Sequence, residues 1–272
     1  MGENRRCAAL RPQLAGTGYM FTRFEAGVKS DESDLPTCAP SGAIQANENT
    51  IMGCLLKQGG GLYPRLRIGA VLLAAGDGRR MGGVAKPLIR LQGVPLISRQ
   101  LVALSGAGVD EVVVVTGYAR DAVEEQVRSF SVTLAHNEAY GEGQEGSVRA
   151  GLHALSGPFD AIFIVPSDQP LIASGDLTEL IGAFKKRPTG HVVVPVVNGQ
   201  RGNPILLDEV AHAQILASGT KLGCRHLIER HPELVHAHGT ANTRFITDLD
   251  TVEDVQALAE RTGWRLELPA PV

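Results

Sequence analysis

IGAVLLAAGDGRRMGGVAKPL occupies residues 68–88. Its first eight residues, through Ala75, carry no polar side chain, the composition of a strand covered on both faces rather than one with a wet side. At Gly76 the run stops. Gly78, Gly82 and Gly83 follow, interleaved with Arg79 and Arg80 and closed by Lys86. An apolar strand that ends in glycines and cations is the opening of an α/β sheet, because such sheets keep their ligand crevice at the carboxyl ends of the strands.

The pattern downstream agrees. Helical periodicity runs from about 95 to 107, 119 to 129, 146 to 155, 177 to 184, 208 to 217, 221 to 230 and 251 to 261. Between these lie apolar runs: EVVVVTG at 111–117, VTLAH at 132–136, DAIFIVPSD at 160–168, HVVVPVV at 191–197, NPILL at 203–207 and the shorter LVHAH at 234–238. Asp176 and Thr251 stand where helix N-caps are expected. Uniformly apolar strands alternating with helices predict a mostly parallel sheet buried on both faces. Lys185, Lys186 and Arg187 precede Pro188 and suit a helix C-terminus, where cations oppose the dipole.

Residues 1–66 have neither helical periodicity nor strand alternation and contain LPTCAPSG and KQGGG, which are turn and linker compositions. They are expected to form a disordered leader, with Met20 and Met52 as alternative starts. The domain is expected over 67–265, with a tail at 266–272.

With 272 residues, 43% hydrophobic content and a formal charge of -3, the chain has material for a sizeable core. Aromatic residues make up 4%, so there are few rings for bases to stack on and no excess of cations for a nucleic-acid backbone. No apolar stretch approaches the roughly 20 residues of a membrane span, and a cytoplasmic location is expected. Cys7, Cys38, Cys54 and Cys224 lie too far apart for zinc or redox spacings and read as reduced thiols. His226 and His231 are five apart, His236 and His238 share a strand face, and neither pair has a third ligand, so these histidines read as surface groups.

Two places carry chemistry. Gly76, Gly78, Gly82 and Gly83 let backbone N–H groups approach an oxyanion, and Arg79, Arg80 and Lys86 add charge-assisted contacts. A polyphosphate is the expected guest; the plainer reading is a tight turn. The P-loop signature is absent, and the second strand ends in Thr116, Gly117 and Tyr118 rather than the acid a dinucleotide-binding dehydrogenase uses on ribose. At the tip of the fourth long strand, Asp168 sits between Pro166 and Pro170. A carboxylate there suits Mg2+, which takes one or two carboxylates plus substrate phosphates, and equally suits a turn that satisfies local N–H groups.

Six segments, LLAAGDGRRMGGVAKPL, VVVVTGY, HNEAYGEGQEGSVRAGL, VPSDQPLI, RGNPILL and TDLDTVEDV, together resemble the MobA-like nucleotidyltransferase family, in the family's order over about 68–261. Among its members the chain is most similar to the molybdenum cofactor cytidylyltransferases. The resemblance implies a three-layer α/β/α sandwich with a Rossmann-like sheet of the nucleotide-diphospho-sugar transferase type. It implies that Leu73, Ala74, Ala75, Gly76, Gly78, Arg80 and Gly82 wrap a nucleoside triphosphate and that Lys86 reaches the α-phosphate. Gly143 and Ser147 match the segment touching base or sugar, Asp168 the Mg2+ aspartate, and Asp250 a second metal-binding or loop-anchoring carboxylate. Lys86, Arg80 and Asp168 would be the catalytic set. The LAAG form of the opening resembles members that transfer CMP from CTP, with Ala75 helping to select it. The implied acceptor is the phosphate of molybdopterin and the implied partner a client molybdoenzyme. Asn203 and Pro204 would face the acceptor, but Asn203 stands where the cytidylyltransferases usually carry histidine. Transfer to a sugar or alcohol phosphate, and a non-catalytic nucleotide-binding role in cofactor delivery, are the alternatives.

Overall fold

The computed structural model describes residues 65–218 and 223–270, all within one compact unit, Tyr63–Val272. Apart from Arg65 and Leu66, the leader expected over 1–66 lies outside the described residues. Arg65 is tied to the domain by an ion pair with Asp110 at 2.9 Å.

The long strands are β1 (Ile68–Ala74), β4 (Glu111–Thr116), β5 (Thr133–His136), β6 (Ala161–Pro166), β7 (Val192–Val197), β9 (Ile205–Leu207) and β10 (Val235–Gly239). Short strands are β2 (Arg90–Leu91), β3 (Val94–Pro95), β8 (Gln200–Arg201) and β11 (Leu266–Glu267). The helices are α1 (Leu96–Gly106), α2 (Arg120–Val127), α3 (Gln144–Ala154), α4 (Ser174–Lys186), α5 (Glu209–Ala217), α6 (Cys224–Arg230) and α7 (Val252–Thr262).

The main sheet runs β10-β7-β9-β6-β1-β4-β5, with β8 added to β7. β1 pairs in parallel with both β4 and β6, so chain order departs from β1 in opposite directions. That reversal opens a crevice at the carboxyl end of β1. β9 is antiparallel to β6 and to β7, which makes the sheet mixed at that point.

All seven residues of β1 are buried, as its uninterrupted apolar run requires. Ile68, Ala70, Leu72 and Ala74 face a cluster with Ile97 and Leu101 of α1, Val123 of α2 and Leu177 and Leu180 of α4. Val71, Leu73 and Ala75 face the opposite layer, with Val148 and Leu152 of α3, Ala211 of α5 and Leu227 of α6. Strand alternation thus produces three layers, with each fully buried Leu, Ile or Val contributing about 1.5–3 kcal/mol.

A third cluster was not expected from the sequence. Met81 and Val84 of the glycine turn pack with Ile89, Leu91, Leu96, Leu249, Val255 and Leu258. It sits with a small sheet ordered β11-β2-β3. Leu266 and Glu267, assigned to a tail, pair with Leu91 and Arg90 of β2 and belong to the domain. Asp176 is a second correction. Ala173 is the N-cap of α4, and Asp176, three residues on, returns its carboxylate to the Ala173 N–H at 2.8 Å. The expected C-terminal cations end α4, where Arg187 donates to the Phe184 carbonyl at 2.6 Å. Among the described residues no helix is long and apolar enough to cross a membrane.

Candidate active site

After Ala74 the chain must turn sharply over the sheet edge. Gly78 (φ 58), Gly82 (φ 67) and Gly83 (φ 85) take the left-handed backbone conformations that side chains resist. At Gly78 a Cβ would run into the Val84 carbonyl. The turn closes on itself, with Met81 N–H donating to Gly78 O at 2.8 Å and Gly83 N–H to the same oxygen at 3.1 Å. Gly82 N–H donates to Arg79 O at 3.1 Å, so Gly82 shapes the turn and its N–H is engaged inside it. Met81 and Val84, buried in the third cluster, pin the turn from below.

Lys86 opens a short 3-10 turn, Lys86–Leu88. Its ammonium lies 2.6 Å from Asp250 Oδ1 and 3.3 Å from Asp168 Oδ2. Arg80 reaches the other Asp250 oxygen, Oδ2, at 2.7 Å. Residues separated by up to 170 positions therefore share one charge cluster. Arg79, by contrast, pairs with Asp77 at 2.5 Å and takes no part in it.

Both acids are held by backbone. Ser167 N–H donates to Leu73 O at 3.2 Å and Leu249 N–H to Asp168 O at 3.0 Å, while buried Gln100 donates to Gln169 O at 2.5 Å. Asp250 leads into α7, where Thr251 caps as expected and Asp254 accepts from the N–H groups of Asp250 and Thr251 at 3.0 and 2.8 Å. Burial alone would raise the Asp250 carboxyl pKa, but the Lys86 ammonium and Arg80 guanidinium hold it below the ordinary value. Sequence reasoning missed Asp248. Although it keeps solvent contact, the protein around it and the negative charges of Asp168 and Asp250 raise its pKa. The acid-x-acid spacing of Asp248 and Asp250 was the available signal.

A cavity of about 550 Å³ borders this cluster, lined by Leu73, Ala75, Gly76, Gly78, Lys86 and Asp168, with Asp250 not among its lining residues. Arg80, Gly143 and Ser147 also line it. Ala74 does not reach the cavity; alternation turns its methyl into the opposite core layer. Ser147 is buried and accepts from Asn137 at 2.9 Å, and Asn137 also accepts from Ala139 N–H at 3.1 Å. Asn137 is a second missed residue, a buried amide just after β5 that ties α3 to the preceding turn.

A second cavity of about 340 Å³ adjoins the first through Gln144 and Pro166. Asn203 lines it together with Arg201, Arg225, Val194 and Ile205, whereas Pro204 is buried behind it after a cis peptide bond. Among the described residues no histidine lines either cavity: His238 bonds Glu179 at 2.9 Å, His231 pairs with Glu233 at 3.0 Å, and His226 pairs at 3.3 Å with Glu145, which does line the second cavity. Of the cysteines only Cys224 falls among the described residues; it is reduced, and burial pushes its thiol pKa up to about 12.

The donor set offers two carboxylates, Asp168 and Asp250, beside two cations. Oxygen ligands of this number fit a hard divalent cation that completes its shell with substrate phosphates and water.

The chain is similar to known proteins to different depths. Over 138 residues the chain is 32% identical to the bifunctional protein GlmU of Pelobacter propionicus, covering 50% of this chain and 29% of that protein. The chain spans about a third of the length of the curated relatives it matches. Rv0371c of Mycobacterium tuberculosis, solved also in complex with manganese, superposes with a TM-score of 0.61 at 22% identity, covering 72% of this chain and 98% of that one. CTP:phosphocholine cytidylyltransferase of Streptococcus pneumoniae gives a TM-score of 0.55 at 18% identity, covering 72% and 99%. The model of the MobA-like NTP transferase domain matches residues 70–235, which span the glycine turn, Lys86, Asp168 and both cavities' strand tips. The chain belongs to the MobA-like NTP transferase family.

Proposed function

We propose that the chain is a Mg2+-dependent nucleotidyltransferase that moves CMP from CTP to the phosphate of a small acceptor, with molybdopterin as that acceptor. The observation that carries the reading is the convergence of Lys86, Arg80, Asp168 and Asp250 beside a glycine turn at the switch point of the sheet. Family membership supports nucleotidyl transfer, and the cytidylyltransferase among the structural neighbours supports CTP.

In this reading Arg80 and Lys86 exchange their carboxylate partners for triphosphate oxygens. Asp168 and Asp250 would hold the divalent cation. When bound, that cation supplies charge neutralisation between donor and acceptor phosphates. The acceptor enters through the second cavity, past Arg201 and Asn203. Its phosphate oxygen bonds to the α-phosphorus, the bond from that phosphorus to the bridging oxygen breaks, and pyrophosphate leaves with the electron pair. A phosphate monoester is already anionic near neutral pH, so no base has to remove a proton. Lys86 and Arg80 act by position and field, lowering anion repulsion and stabilising charge on the departing pyrophosphate.

Asn203 favours a second reading of the acceptor. An amide donates and accepts hydrogen bonds but exchanges no proton, so an acceptor other than molybdopterin, such as a sugar or alcohol phosphate, fits the same cavity. Pyrophosphate release separates the readings when CTP, UTP, GTP and ATP are each paired with molybdopterin, sugar phosphates and alcohol phosphates. Release with CTP and molybdopterin is expected. Release only with another acceptor selects the second reading, and CTP binding without release under any pairing selects the non-catalytic accessory.

A further inference from the structure

The sheet order β6-β1-β4-β5 spreads the site's parts along a line. Asp168 stands at the β6 tip, the glycine turn follows β1, Tyr118 follows β4, and Tyr140 lies beyond β5 on the short turn Tyr140–Glu142. A nucleoside triphosphate whose phosphates lie on Lys86 and Arg80 has its base at the end away from Asp168. Tyr140 is the aromatic residue among those lining the larger cavity, and it is half-buried.

Its position is built rather than incidental. The rings of Tyr140 and Tyr118 meet edge to face, with centroids 6.2 Å apart and planes at 63°. Tyr118 N–H donates to Ala75 O at 3.2 Å, and its hydroxyl lies against Gly83 of the glycine turn, 3.1 Å from where a Cβ would stand. Gly117 is buried between the two sides: a Cβ there would come within 2.7 Å of Ala75 O and 2.8 Å of Tyr140 Cβ. Only a residue without a side chain lets Tyr140 approach Ala75 so closely. On the other flank Asn137 ties Ser147 of α3 to Ala139, immediately before Tyr140.

We propose that Tyr140 is the wall against which the donor's nucleobase lies, and that Gly117 and Tyr118 are the residues that position it. This rests on the reading of the larger cavity as a nucleoside triphosphate site. A nucleobase needs a flat apolar face, and a base-aromatic stack tolerates any base, so Tyr140 supplies affinity for the base while neighbouring groups select among bases.

The test compares CTP with inorganic tripolyphosphate, each titrated calorimetrically into the full chain with Mg2+ present. Tripolyphosphate has the charged arm and no base. Tyr140→Ala is expected to weaken CTP on the order of tenfold, the range of a lost stack, and to leave tripolyphosphate within about twofold. Tyr140→Phe keeps the ring and should retain CTP affinity. Gly117→Ala should reproduce the Tyr140→Ala pattern, because the new methyl displaces the ring. Should Tyr140→Ala fail to fold, Tyr140→Leu removes the ring at similar bulk and should show the same selective loss. An equal loss for both ligands, or no loss for CTP, overturns the proposal while leaving the nucleotide site intact. Failure of the unaltered chain to bind either ligand overturns the site reading itself.

Discussion

Lys86→Met removes the charge that holds the site together while keeping an unbranched apolar stem. The Lys86 side chain is 15% exposed, and its ammonium bonds Asp250 at 2.6 Å and Asp168 at 3.3 Å. A charge-assisted hydrogen bond contributes about 1.5–3 kcal/mol when well formed. The longer contact counts for little and the cavity keeps the ions wet, so a loss of about 2 kcal/mol is expected near pH 7. The pH dependence follows from two carboxyls. Asp250 has a folded pKa below its unfolded value, so it stabilises the fold fully above about pH 4 and loses that contribution as pH falls through the folded pKa. Asp248 has a raised folded pKa, so its ionisation penalises the fold at neutral pH, and the penalty is relieved as pH falls. Removing Lys86 abolishes most of the first effect and enlarges the second, since Lys86 lowers both pKa values. Both changes act in one direction, so the cost of the substitution shrinks toward about pH 3.5. Urea unfolding followed by circular dichroism at both pH values measures it. Equal losses at the two, or a loss below about 0.5 kcal/mol at neutral pH, would refute the electrostatic account.

Ala75→Gly is expected to narrow the preference for CTP over GTP, read from relative kcat/KM; an unchanged ratio removes Ala75 from donor selection. Gly78→Ala forces a Cβ at φ 58 against the Val84 carbonyl and should cost about 1–3 kcal/mol in thermal unfolding and weaken nucleotide binding; neutrality would show that the turn adopts another path. Cys224, with its thiol pKa pushed up to about 12, should resist iodoacetamide near pH 8 in the folded protein and react readily in urea; fast native alkylation would contradict its burial. Manganese should bind weakly alone and about 5- to 150-fold more tightly with CTP, and the reciprocal gain should hold for CTP; independence of the two ligands would break the exchange of partners at Asp250.

The sequence was most readable where one physical requirement fixed one stretch. An unbroken apolar run demands burial on both faces, and β1 has it; a sharp turn demands positive φ, and Gly78, Gly82 and Gly83 provide it. The position of Asp168 at a strand tip was legible because the apolar run AIFIV ends at Pro166, although a carboxylate there suits a turn as well as a metal. What was not legible depended on distant partners. β2 and β3 have two residues each, too short for alternation to register, and β11 is invisible without its partner Leu91. Local composition could not tell that NPILL runs antiparallel to its neighbours, since an apolar triplet reads alike in either direction. Asp176 was placed one turn early, because carboxylates are favoured both at the cap, where they accept from N–H groups downstream, and at the third helical position, where Asp176 accepts from the cap N–H upstream. Asp248 and Tyr140 lay within recognised segments, but part of what surrounds them comes from afar: Asp168 beyond β6 acts on Asp248, and Tyr118 beyond β4 meets Tyr140.

The resting charge balance explains why donor and metal are expected to arrive together. Lys86 and Arg80 face Asp168, Asp248 and Asp250, so the cluster carries more negative than positive charge before any ligand enters. A triphosphate alone would meet cations already engaged and a surplus of carboxylates, and its own charge would be repelled. A divalent cation alone would have to draw Asp250 away from an ammonium at 2.6 Å and a guanidinium at 2.7 Å. On the proposed function, a metal-nucleotide complex would satisfy both halves of the cluster, with Lys86 and Arg80 facing phosphate and Asp168 and Asp250 holding the cation. The pairing of Asp250 with Lys86 and Arg80 holds those two cations beside the cavity and favours the ionised form of the Asp250 carboxyl. On the proposed function, the same contacts that stabilise the ligand-free turn would favour the metal-nucleotide complex over either component.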